Sequence, residues 1–352
     1  MSTAQALWAR LRAQYLVEGE APAADGGHTP WYIRLLLGIA GWLGSFGMLL
    51  FELLDAGPAG MVVTGIVLCA VATGLARIRG ANDFLTQFAF AISLAGQAAV
   101  LLGVGQLSDE SISSLAAATV LLGAVLFVAV PQLGHRVWCA ALAALALGWI
   151  GRSWLLWQLA PLPLTALLAW LWLSEFERAR FAAPKRAGGY GILFALLVMF
   201  TAAQWLPLSL LLDEPQSTLA VPPLLLPAAS AAYGLVLLGS VVLLLRREEV
   251  ALDSAEGRSA IALTLPLAAA CYFAPGLSPF LLSLILGFAN GNRVLQGLSV
   301  MALLLYLGRY YYLLDLTLLD KSLLLIALGA VLLCARFLLQ YLLPRPEAHD
   351  HA

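Results

Sequence analysis

Charged side chains make up only 11% of this 352-residue chain, against roughly a quarter in soluble domains. With 62% hydrophobic residues and a mean hydropathy of +0.90, that scarcity excludes a water-soluble fold, because a chain of this length could not hide so much apolar surface. Cysteine is sparse too. Cys69, Cys139, Cys271 and Cys334 each lie inside an apolar run, where they read as small packing residues and not as a disulfide framework. His28 and His135 fall at expected membrane surfaces, while His349 and His351 end the chain in a loose tail. No His is paired with Glu or Cys at ligand spacing, no Gly-rich loop leads into a Lys, and no serine sits in a nucleophile elbow. The expectation is a protein that is not an enzyme and has no cofactor or metal. A net charge of −1 gives no footing for nucleic acid.

What the sequence does have is about twelve apolar runs, read as spans at 31–54, 58–76, 84–105, 112–130, 137–150, 154–173, 190–208, 221–245, 260–274, 277–289, 293–313 and 322–343. Each spanning helix needs roughly 20 apolar residues, so the bilayer is the expected solvent and little chain is left for a soluble domain. Sixteen of the 19 Lys and Arg residues lie at one set of ends: the N-terminus, the even-numbered gaps and the C-terminal side. Only Arg152, Arg309 and Lys321 lie at the other set, whose gaps carry Asp55, Asp109, Glu110, Asp213 and Glu214. Cytoplasmic loops keep their positive charge, so the fold class is an all-α polytopic transmembrane bundle with both termini in the cytoplasm. Its organisation is a cytoplasmic N-terminal segment (1–30), the helix bundle (31–343) and a short cytoplasmic tail (344–352). Within 3–17, Leu7, Trp8, Leu11, Tyr15 and Leu16 recur at helical spacing between Arg10 and Arg12, the pattern of a surface-lying amphipathic helix. The N-terminus shows acids and arginines ahead of its first long apolar run, so no removable signal peptide is expected.

The fifth, ninth and tenth spans are short, with about 13 to 15 apolar residues, and the ninth and tenth could form a re-entrant hairpin about Pro275 and Gly276, giving ten spans with the same parity. Basic residues concentrate in the longest loop, 174–189, with Arg178, Arg180, Lys185 and Arg186. Gly38, Gly41, Gly44 and Gly47 in the first span read as a close-packing face ahead of a backbone-lined pathway. Pro161, Pro163, Pro222, Pro223, Pro227 and Pro266 read as kinks or breaks. Broken helices can also bind ions or substrates in transporters.

Polar residues inside the eleventh span form the most suggestive pattern. Asn292, Gln296, Ser299, Tyr306 and Tyr310 make one stripe down the helix, which should face the bundle because polar groups facing lipid cost free energy. It reads equally as a structural seam or a ligand-facing surface. Arg309, with Glu52 and Asp315 expected at the same depth, forms a candidate polar cluster enclosed by Tyr306 and Tyr310 near the outer surface. The tyrosines also suit a plain aromatic belt.

Three stretches carry a family likeness: Leu7-Trp8-Ala9-Arg10-Leu11 leading to Leu16-Val17-Glu18-Gly19, then Pro30-Trp31-Tyr32-Ile33-Arg34, then Gly291-Asn292-Arg293 through Gly308-Arg309-Tyr310-Tyr311-Tyr312 to Asp320-Lys321-Ser322-Leu323. Together they resemble the bacterial membrane-protein family called domain of unknown function 4401, over nearly the whole chain. The resemblance implies a multi-pass protein of the bacterial inner membrane that works with another membrane protein bearing a Gly-Asp-Tyr motif. It brings no established activity. Two function classes remain: a non-enzymatic subunit or scaffold of a cell-envelope complex, favoured by the short loops, and a small-molecule transporter. Twelve spans with a central basic loop suit the second class, as does the echo of Leu53-Leu54-Asp55 in Leu211-Leu212-Asp213.

Overall fold

The computed structural model describes residues 57–78, 83–109, 111–154, 159–201 and 224–313, with scattered positions outside them. Among these residues the chain is helix and turn, without strand, and it divides into two compact units, 1–139 and 140–352. Ten helices are described, and five of them contain stretches long and apolar enough to cross a membrane: 58–76, 84–107, 112–129, 133–150 and 227–247.

The first unit holds α1 (Pro58–Ala76), α2 (Asp83–Leu107), α3 (Ile112–Ala129) and the start of α4 (Leu133–Trp154). Pro58 opens α1 at a position where its missing N–H is no loss. Ser111 caps α3 by accepting from the Ser114 N–H, and Val130, extended ahead of Pro131, ends it. Helices in lipid have no hydrophobic push toward one another, so they associate by packing. Here α1 and α2 meet through small residues. A Cβ on Gly65 would stand 2.6 Å from the Gly96 carbonyl oxygen, one on Gly96 2.7 Å from that of Gly65, and one on Gly103 2.6 Å from that of Pro58. Gly96 and Gly103, seven residues apart, therefore form the groove that α1 enters.

The second unit contains α5 (Pro161–Leu173), α6 (Ala179–Thr201), α7 (Leu225–Arg247), α8 (Ala255–Phe273), α9 (Leu277–Ala289) and α10 (Arg293–Leu313). Its core joins Leu168 and Trp172 of α5, Leu196 of α6, Tyr233 and Leu237 of α7, Phe280 and Leu286 of α9, and Leu295 and Tyr306 of α10. Gly291, at φ +64°, lets the chain reverse between α9 and α10. Asn292 N–H donates to Gly287 O (2.9 Å) and Gly291 N–H to Phe288 O (3.1 Å), a Schellman ending. Asn292 then caps α10, its Oδ1 accepting from Leu295 N–H at 3.0 Å. One three-residue turn thus closes one helix and opens the next.

Several sequence expectations need correction. The fifth span is no fragment: α4 has 22 residues, of which 133–150 suffice to cross. The run read as a sixth span from 154 is divided, since Trp154 still belongs to α4 and Pro161 starts α5 instead of kinking a longer helix. Most of the expected basic loop is helical, because α6 begins at Ala179 and runs through Pro184. The ninth span, α8, begins at Ala255 and has 19 residues, with Pro266 inside it. The tenth, α9, is as short as expected at 13 residues, or about 20 Å against a hydrocarbon core of about 30 Å. Gly44 and Gly47 meet nothing within 4 Å, so the close-packing face foreseen in the first span does not form at those two positions among the described residues. Gly38, Gly41, Pro222 and Pro223 lie outside the described residues, as do the twelfth span and the N-terminal amphipathic segment apart from isolated positions such as Leu323, Trp8 and Arg12.

Candidate functional site

The helices of the second unit converge at one end on a carboxylate that water does not reach. Glu175 follows the last turn of α5 and its side chain is 1% exposed. Its Oε1 accepts from Arg186 Nε of α6, and its Oε2 accepts from Asn290 Nδ2 at 3.0 Å. Asn290, the residue that ends α9, also donates to Trp172 O (2.9 Å) and accepts from Arg247 Nη1 at the end of α7 (3.1 Å). A chain Arg186–Glu175–Asn290–Arg247 thereby ties α5, α6, α7 and α9. The hydrogen bond with Glu175, more than their charge attraction, pushes the Arg186 guanidinium above its ordinary range.

The frame around this carboxylate is cationic. A helix C-terminus leaves carbonyls without N–H partners and carries the negative end of the dipole, so cations settle there. Arg247 Nη1 donates to Leu173 O (3.3 Å) and Lys185 Nζ donates to Ser174 O. Lys185 also lies 5.3 Å over the Trp170 ring, and Arg247 lies 5.6 Å over Phe176. Beneath them, Gly189 presses against the Trp172 indole, where a Cβ would stand 2.6 Å from Cε2. The buried indole N–H has no hydrogen-bond partner among the described residues.

The polar stripe of α10 faces the bundle as its spacing requires, and its groups are committed there. Asn292 exchanges hydrogen bonds with Tyr190 OH of α6, at 2.8 and 3.0 Å. Gln296 Nε2 reaches Gly287 O of α9 at 3.0 Å. Ser299, fully buried, donates back to Leu295 O at 2.7 Å. Of the two readings of the stripe, these bonds support the structural seam.

Tyr306 is buried in an aromatic cluster with Phe200, Phe280 and Tyr310, ring centroids 6.0, 5.8 and 6.2 Å away. Its hydroxyl accepts from Gly276 N–H at 3.2 Å, seating the α8–α9 turn on the ring. Arg309 is half-buried on α10, one turn from Tyr306. Glu52 and Asp315, the acids expected beside it, lie outside the described residues.

In the first unit, His135 is 2% exposed, and both of its ring nitrogens are engaged. Nε2 lies 2.7 Å from Ser93 Oγ of α2, and Nδ1 lies 3.4 Å from Cys139 Sγ one turn along α4. Gln97 Nε2 donates to Ser93 Oγ at 3.2 Å, and Cys69 Sγ of α1 approaches Ser93 O at 3.8 Å. A Ser–His contact of this length resembles a nucleophile–base pair, but Ser93 is 1% exposed and its oxygen already accepts from Gln97. The arrangement clasps α2 to α4. Among the described residues no three His, Cys, Asp or Glu side chains are grouped to hold a metal ion.

Sequence reasoning missed Glu175, Asn290, Arg247 and the His135 clasp. The available signal was the acid Glu175, which with Glu177 stands at the end of an apolar run and ahead of four basic residues. Neither a curated protein nor a solved structure matches the chain. The family model described as "Domain of unknown function (DUF4401)" matches residues 30–342, most of the chain. The long apolar helices accord with the membrane character foreseen for that family, and the chain belongs to it.

Proposed function

We propose that this protein is a non-enzymatic subunit or scaffold of a membrane complex in the bacterial cell envelope, crossing the inner membrane about twelve times with both termini in the cytoplasm. The observation that carries this reading is the use made of the polar groups among the helices. Asn290, Asn292, Gln296, Ser299 and Glu175 each bond to protein partners that hold one helix to another or continue a helix, which leaves them committed to architecture. A transport pathway needs polar groups held ready for a passing solute.

The topology draws support from the cationic ends. Arg77 donates to Ala129 O and Arg136 to Phe127 O and Val130 O, each at 3.0 Å, so α3 ends between arginines. Lys185 and Arg247 do the same for α5. Both ends fall on the side where the alternation of charge puts the cytoplasm.

The family suggests a membrane protein with a Gly-Asp-Tyr motif as the partner. Purification in mild detergent from native membranes should yield a stoichiometric complex with a second membrane protein. Recovery of the chain alone, together with solute counterflow in proteoliposomes, would replace this reading with the transporter. Reporter fusions at the C-terminus and after Asp213 should report opposite sides of the membrane, and a periplasmic C-terminus would overturn the topology.

A further inference from the structure

The turn between α5 and α6 carries positive charge that the fold does not consume. Glu175 is taken by Arg186, and Glu177 lies 3.7 Å from Lys185. Arg178 and Arg180 remain. Both are exposed, and neither has a carboxylate within ion-pair distance among the described residues. The first turn of α6 contains no acid either. Two arginines at a helix N-terminus oppose the positive end of the dipole, so the helix itself does not favour their placement.

The rings around this turn keep much of their surface open, although Lys185 and Arg247 lie over two of them. Trp170, Phe176 and Phe181 expose 57%, 52% and 40% of their surface. The Arg180 guanidinium lies 4.5 Å over the Phe181 ring. Exposed rings interleaved with surplus cations at the end of an apolar helix match the headgroup layer, where rings sit at the acyl boundary and cations face phosphates.

We propose that this turn, from Phe176 to Phe181, binds anionic phospholipid headgroups. Arg178 and Arg180 pair with the lipid phosphate, while Phe176 and Phe181 enter the boundary beneath it. Lys185, Arg186 and Arg247 belong to the frame that shapes the turn. The inference rests on the placement of this turn at the membrane surface and not on the scaffold reading, so the two fail separately.

The test uses the full chain in mild detergent, titrated with phosphatidylglycerol, phosphatidylcholine or inorganic phosphate while thermal stability and lipid retention in native mass spectrometry are followed. Phosphatidylglycerol should stabilise and remain bound where the other two do not. Arg178→Gln with Arg180→Gln should weaken that effect about 25-fold, since each surface cation contributes about a fivefold factor. Arg178→Lys with Arg180→Lys should retain most of it, and Arg258→Gln, an exposed arginine on α8, should leave it unchanged. Equal stabilisation by phosphatidylcholine or by phosphate overturns the proposal. So does wild-type affinity in the double Gln variant, or equal weakening in Arg258→Gln.

Discussion

Removing one partner of the Glu175–Arg186 pair should have very different consequences depending on which is removed. The carboxylate is 1% exposed and the guanidinium side chain 48%. Arg186→Met leaves a buried anion whose remaining partner is Asn290 Nδ2. Stranding a buried charge costs about 3–5 kcal/mol, and the surviving hydrogen bond holds the value to about 3 kcal/mol. Glu175→Gln keeps shape and an acceptor, and Arg186, already half in solvent, turns outward. That loss is one hydrogen bond, about 1 kcal/mol. The double variant should therefore resemble Glu175→Gln alone, with a coupling of about 3 kcal/mol between the sites. Thermal unfolding of the four proteins in one detergent, ranked by midpoint, reads this order. If Glu175→Gln destabilises as much as Arg186→Met, or if the two losses simply add, the carboxylate is not the buried and dependent member of the pair.

Three further substitutions test individual contacts between the helices. Gly96→Leu should separate α1 from α2, because even a Cβ there would meet the Gly65 carbonyl oxygen at 2.7 Å; Gly74→Leu, with nothing within 4 Å, should be tolerated, and equal unfolding midpoints for the two would refute the close approach. Tyr306→Phe leaves the Gly276 N–H without its acceptor and should cost about 1 kcal/mol, read as a lowered midpoint with unchanged membrane insertion. Arg136→Lys keeps the charge but not the Nε–H that Phe127 O and Val130 O share, so it should lose about 1 kcal/mol while reporter fusions show the same orientation; a wild-type midpoint would mean that only charge matters at this position.

Hydropathy located the helices better than it located their ends, and the reason is physical. Apolar runs mark where lipid is, whereas a helix continues as long as its backbone hydrogen bonds do. The starts at Pro58, Ile112, Leu277 and Arg293 coincide with capping residues or turns written locally in the sequence. At α6 the two criteria part. Arg180, Lys185 and Arg186 read as loop because they are charged, yet Ala, Arg and Lys are good helix formers and the helix extends past the apolar run. The α10 stripe was visible because 3.6-residue spacing puts its members on one face. The Glu175 cluster was not, since its carboxylate meets Asn290 across 115 positions of sequence. The same holds for His135, whose partner Ser93 is 42 positions away. An isolated acid or imidazole at a run's edge has the same local signature whether it ends in water or in a core.

The arginines and lysines that set the expected orientation also serve the helices they flank. A cation left on the cytoplasmic side meets helix C-termini there in half of all crossings, and each such end presents several carbonyls without donors. Arg77 and Arg136 at the end of α3, with Lys185 and Arg247 at the end of α5, occupy these ends. On the proposed topology, one set of residues biases insertion and then stabilises the inserted helices. Cations so used are unavailable for anything else, which separates them from Arg178 and Arg180. Those two stand at a helix N-terminus, where the dipole repels them and no carboxylate among the described residues lies within ion-pair distance. A surplus of charge held against the local field, beside exposed rings, is the expected mark of a surface shaped by its surroundings instead of by the fold.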